Sequence, residues 1–228
     1  MAPDKPIERT LANCAIVLRA TAFNPSIITP HWLVKKGICQ DSEFEQKNRP
    51  LSSISTPEMC QIESNTFRLL VNPSVLQITP IADVINRDNV LHVSQVIKGI
   101  VNALPEIPYG AIGCNFDWHL AINNAHDYSR RNFYFEQSNL HREFDTADAR
   151  YGVYLSKQYQ SVRLKLDVKP VTVQRVRVAQ PVGEPFEAIQ YSFNFHKDFS
   201  VVSLSEIFNL FDSMEEFLNE TNRLTNIL

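Results

Sequence analysis

The residues best equipped for chemistry sit at alternate positions in three apolar stretches. In 111–122, Asn115, Asp117 and His119 alternate with Cys114, Phe116, Trp118 and Leu120. In 159–169, Arg163, Lys165, Asp167 and Lys169 alternate with Val162, Leu164, Leu166 and Val168. In 188–196, Gln190, Ser192, Asn194 and His196 alternate with Ile189, Tyr191, Phe193 and Phe195. A period of two sends successive side chains to opposite faces of a strand. If the three strands share a sheet, one face gathers amides, carboxylates, imidazoles and cations. The binding residues this singles out are Asn115, Asp117, His119, Arg163, Lys165, Asn194 and His196. The plainer reading is a solvated face laced with cross-strand ion pairs.

Two further chemistries are compatible with the residue types present. His119, His126 and His141 fall beside Asp117, Asp127, Glu143, Asp145 and Asp148, and a metal-activated water would be sought at Asp117, His119 and His126-Asp127. The tight spacing of a ligand set is missing, so neither a metal nor a cofactor is expected. The segment 128–177 interleaves Tyr128, Phe133, Tyr134, Tyr151, Tyr154 and Tyr159 with many cations, and 157–177 carries a net charge of +5. Aromatic faces beside cations suit single-stranded nucleic acid.

Much is excluded outright. Only 6 glycines occur, and none opens a G-x-x-x-x-G-K-[ST], a G-x-G-x-x-G or a G-x-S-x-G. Gly110 and Gly113 form a G-x-x-G that leads into a strand and lacks basic neighbours, unlike a KH loop. There is no C-x-x-C among the 4 cysteines, which reads as buried thiols in a reducing compartment. Lys and Arg number 22 against 25 Asp and Glu, for a formal charge of −3, so the whole chain is no polyanion coat. Nothing approaches the roughly 18 apolar residues of a membrane span, and a cytoplasmic protein is expected.

The elements that would position these residues follow from periodicity. Strands are expected over 13–23, 60–71, 74–79, 111–122, 151–156, 159–169, 171–178 and 188–196, with a bend near Gln174. Thr29-Pro30 and Gly37 bound a short helix. Val90, Val93, Ile97, Ile100, Val101 and Leu104 predict a helix over 89–104, started by Asp88 or Asn89 and stopped by Pro105. Ser203 and Glu206 form a capping-box pattern opening a C-terminal helix with Leu204, Ile207, Phe208, Phe211, Met214, Phe217 and Leu218 on one face. Residues 40–58 read as a polar loop and 123–150 as a long connection holding some helix. Asn24-Pro25-Ser26 leading to Thr29-Pro30 resembles Asn72-Pro73-Ser74 leading to Thr79-Pro80, which is either a trace of duplication or a shared turn start.

Together these predict one α+β domain over 1–228: a mainly antiparallel sheet with two long amphipathic helices on one face. A ferredoxin-like unit, or a degenerate pair of them, satisfies that order. The acidic C-terminal helix and the basic 157–177 segment are opposite patches that suit self-association or a protein partner. The function expected is a non-catalytic binding or assembly subunit of a cytosolic complex. The alternative is a single-stranded nucleic-acid-binding protein, or a nuclease, using the basic-aromatic strands.

Overall fold

The computed structural model describes residues 8–45, 53–174, 176–177, 180–181, 184–200 and 203–227. The expected loop 40–58 and strand 171–178 therefore fall partly outside the described residues. So do Arg175 and the side chain of Arg177.

The chain is α+β. Its strands are β1 (Glu8–Ala20), β2 (Ser53–Ser55), β3 (Cys60–Glu63), β4 (Phe67–Val71), β5 (Val75–Pro80), β6 (Tyr109–Ala121), β7 (Val153–Tyr159), β8 (Val162–Val173), β9 (Val176–Arg177), β10 (Gln180–Pro181) and β11 (Phe186–Asp198). Its helices are α1 (Pro30–Lys35), α2 (Arg87–Ala103), α3 (Ala125–Phe133), α4 (Asn139–Glu143), α5 (Leu204–Asp212) and α6 (Met214–Thr225). Nine strands form one antiparallel sheet in the order β2-β3-β4-β5-β1-β6-β11-β8-β7, and β9 and β10 pair separately.

That order contains a repeat. Counting outward from the centre, β1, β5, β4 and β3 lie on one side, and β6, β11, β8 and β7 on the other. The first strand of each set precedes the first helix of its half, and the other three precede the last. Each half is thus a β-α-β-β-β-α unit, with β2 added at one edge and α4 beside α3. A ferredoxin-like unit places only two strands between its helices. The Asn-Pro-Ser similarity does not mark this repeat. Its first copy follows β1 and its second turns β4 into β5, both in the same half. There the two segments are neighbours, with Ala20 N–H donating to Ser74 O at 3.0 Å and Phe23 N–H to Pro73 O at 3.1 Å.

The helices cover one face only. Thr29 Oγ1 accepts from Trp32 N at 3.1 Å to start α1, and Gly37 ends it at φ 69°. Asn86, two or three residues earlier than expected, starts α2 by a reciprocal pair of 3.0 Å bonds with Asn89. The expected long C-terminal helix is two helices that break at Ser213, whose Oγ donates to Asn209 O at 2.9 Å. Ser203 makes no side-chain cap; its Oγ pairs with Ser205 Oγ at 2.7 Å.

Beneath the helices the apolar parities close into one core. Phe195 stacks on Phe217 with centroids 4.3 Å apart and meets Phe116 and Tyr159 edge-on. Trp118 Nε1–H donates to Thr221 Oγ1 at 2.9 Å, tying β6 to α6. Ser94 Oγ–H donates to Phe211 O at 2.9 Å between α2 and α5. Among the described residues no helix is long and apolar enough to cross a membrane.

Candidate functional site

Among the described residues no helix packs on the opposite face of the sheet, and the strand register assembles the site there. β6, β11 and β8 are adjacent, so their polar parities form continuous rows. Asn115, Asn194 and Lys165 lie across one row, and Asp117, Ser192 and Asp167 across the next. His119, Gln190 and Lys169 make a third; Gly113, His196 and Arg163 make a fourth. All seven residues singled out from the sequence, Gly113's neighbours included, therefore share this surface.

β1 extends the rows, placing Asn13 beside Asp117 and Ala15 beside Asn115. A register shift between Leu11 and Asn13 makes this possible. Leu11 is buried and Asn13 exposed although both are odd-numbered. The extra residue of a β-bulge flips the side-chain phase. Asn13 was missed because nothing local in the sequence says that β1 pairs with β6. The signal available was one amide opening an otherwise apolar run.

The face is internally hydrogen-bonded. Asn13 Nδ2 donates to Asp117 Oδ2 at 3.0 Å, and Asn194 Nδ2 to Asn115 Oδ1 at 2.7 Å. Gln190 Nε2 donates to Ser192 Oγ at 2.8 Å, and its Oε1 lies 3.4 Å from His119 Nε2. His196 pairs with Asp198 at 3.1 Å, and Lys169 with Asp167 at 2.7 Å. Arg163 donates to Ser156 Oγ at 2.6 Å and to Ser156 O at 3.3 Å, reaching across the edge strand β7. Lys165 has no hydrogen bond or ion pair among the described residues. A shallow concavity of about 450 Å³ lies along these rows, lined by Asn13, Ala15, Asn115, Asp117, Lys165 and Asn194 among others.

The metal constellation does not assemble. Asp117 and His119 point to the open face, whereas His126 and Asp127 belong to the first turn of α3, where Asp127 is bonded to Asn124. Among the described residues no three His, Cys, Asp or Glu side chains gather as a metal site.

The basic-aromatic segment is divided: Tyr154, Arg163, Lys165 and Lys169 lie on the open face, and the rings nearer α3 and α4 gather elsewhere. Tyr134 and Tyr151 pack edge to face at 5.1 Å with His141 beside both, and the guanidinium of Arg130 lies over their rings while pairing with Asp145. Phe135 N–H donates to His141 Nδ1 at 2.8 Å, which closes this cluster around α4. The long connection 123–150 thus holds α3, α4 and this ring cluster, with Phe135, Leu140 and Phe144 left exposed.

The opposite charges of the C-terminus and 157–177 meet within the chain. Lys157 pairs with Glu220 at 3.5 Å, and Gln160 bonds Glu216. Arg87 grips Glu215 with two bonds of 2.7 and 2.8 Å, and Lys98 pairs with Asp212 at 2.6 Å. Of the basic segment only Lys157 meets the acidic C-terminal helices by an ion pair among the described residues; Arg87 and Lys98, the partners of Glu215 and Asp212, come from α2.

The perturbed thiols lie on the covered face or under the loops. Burial pushes Cys114 and Cys39 up to about 12 and Cys14 higher still, so none is poised as a nucleophile. All four cysteines are free and buried. Comparison of the chain with known protein families, curated proteins and solved structures finds no match to any of them.

Proposed function

We propose that the protein is a non-catalytic binding subunit of a cytoplasmic multiprotein complex and that the open sheet face is its binding surface. The observation that carries this reading is the asymmetry of the sheet. One face is sealed by α2, α3, α5 and α6, while the other holds a contiguous, pre-ordered field of amides and charges over four strands. A surface whose side chains are already held in place loses little freedom when a partner docks. What this field offers a partner is hydrogen bonds from side chains already fixed in place.

The test is affinity capture followed by sedimentation of the tagged chain from its source cells. Asn194→Arg, in the middle of the face, is compared with Glu106→Arg, beyond the end of α2. The expected result is an assembly that survives Glu106→Arg and is lost with Asn194→Arg. Equal behaviour of the two variants, or a monomer without any associated species, overturns the reading. The nucleic-acid alternative is read in parallel. Salt-sensitive binding of a single-stranded oligonucleotide, weakened by Arg163→Ala with Lys165→Ala, would replace the proposal.

A further inference from the structure

The concavity on the open face differs from the rest of that face in what its side chains leave unspent. Its floor is low at Ala15, whose methyl is all that β1 presents beside Asn115. A Cβ added to Gly113 would stand 3.2 Å from Asn194 Nδ2, so even alanine there would press on the amide. The walls carry both hydrogen-bonding senses. Asn13 and Asn194 each spend their Nδ2 on a neighbour, Asp117 Oδ2 and Asn115 Oδ1 respectively. Those bonds fix the amide planes and leave both carbonyl oxygens, with the second oxygen of Asp117, as aimed acceptors. Ser192 Oγ accepts from Gln190, which leaves its own O–H to donate. Lys165 adds an unpaired ammonium donor, and Tyr154, 62% exposed, stands at the rim as a flat apolar ring.

Ligand classes can be separated by this inventory. A phosphate or polyanion would face the carboxylates of Asp117 and Asp167 against the single ammonium of Lys165. A cation would meet Lys165 itself. An apolar ligand would strip water from fixed amide oxygens without replacing their bonds. A neutral polyol has the matching chemistry. Each hydroxyl both donates and accepts, adjacent hydroxyls can bridge Asn13 and Asp117 or Asn194 and Lys165, and the C–H face of a sugar ring packs on an aromatic face.

We infer that this concavity binds a short neutral oligosaccharide, with Asp117, Asn13 and Asn194 accepting from its hydroxyls, Lys165 and Ser192 donating to them, and Tyr154 stacking on a ring. The inference rests on the open face being the binding surface and names what part of it takes. The volume of about 450 Å³ is in the range of small-molecule sites, and its shallowness suits a ligand that keeps one side in water.

The experiment is an amide NMR titration of the whole chain with maltotriose, cellotriose, mannotriose and chitotriose. At least one sugar is expected to shift Asn13, Asn115, Ser192 and Asn194 in a saturable way. Tyr154→Ala should weaken that binding about tenfold, and Lys165→Met should weaken it while the spectrum stays folded. Overturning results are silence from all four sugars, shifts confined to residues away from the concavity, or shifts unaltered in both variants. If the sugars fail while Asn194→Arg still dissolves the captured assembly, the binding reading stands and only the oligosaccharide falls. If both fail, the face is plain surface.

Discussion

Along β11, Ile189, Tyr191, Phe193 and Phe195 are sealed under α3 and α6, while Gln190, Ser192, Asn194 and His196 between them keep contact with water. The two faces of the sheet are therefore built by the same strands with the same backbone. What differs is the currency of contact. The covered face is held by area removed from water and by ring packing, which is strong and insensitive to salt. The open face is held by hydrogen bonds between half-exposed side chains, each worth little net because water competes. The covered face thus stores the stability of this protein. The open face can therefore change without unfolding it.

The sharpest way to break the contrast is Phe195→Ala. It removes one partner of the 4.3 Å Phe195–Phe217 stack together with contacts to Phe116 and Tyr159. A loss of about 3–5 kcal/mol is expected in urea unfolding. A loss no greater than that of an open-face substitution would contradict the assignment.

Thr221→Val comes next. The shape is nearly kept, but Trp118 Nε1–H loses its acceptor beneath α6. A cost of about 1–3 kcal/mol is expected, with a changed tryptophan fluorescence spectrum.

On the open side, Asn194→Ala cuts one 2.7 Å amide bond between half-exposed residues. Its cost should stay within about 1 kcal/mol, with binding abolished at an unchanged melting profile. A cost as large as that of Phe195→Ala would show that this face is structural.

The smallest effect belongs to the rim of the helix layer. Arg223 and Lys157 hold the Glu220 carboxyl below its ordinary value of 4.5. A carboxyl depressed in the folded state contributes stability above that ordinary value, and the contribution disappears as pH falls through the lowered one. Melting temperature measured from neutral pH down past 4.5 should therefore fall less in Glu220→Gln than in the wild type. Parallel curves would remove this term.

How much of this was legible in the chain depends on the range of the information needed. Alternation in 111–122 and 188–196 is a property of neighbours two apart, and it placed Phe116 inside and Asn194 outside correctly. The helix α2 was legible for the same reason, and its start moved only from Asp88 or Asn89 to Asn86. The break at Ser213 was not legible, because the apolar stripe continues from Phe211 through Met214 to Phe217 across it. Asn13 was hidden by a bulge whose only local trace is a change of burial phase. The acidic and basic patches were legible as composition, but the pairing of Lys157 with Glu220 depends on the fold bringing α6 to β7, which composition does not encode.

The amino-acid sequence by itself determined which face the side chains of 111–122, 159–169 and 188–196 take and where α2 runs, because both follow from short-range periodicity and capping. Only the tertiary structure decided that β1 joins β6 at the centre of the sheet, that two β-α-β-β-β-α halves are fused there, and that Lys165 is left unpaired where Lys157 is not. Strand pairing is set by contacts between residues distant along the chain, and its outcome turns on packing that no local window contains.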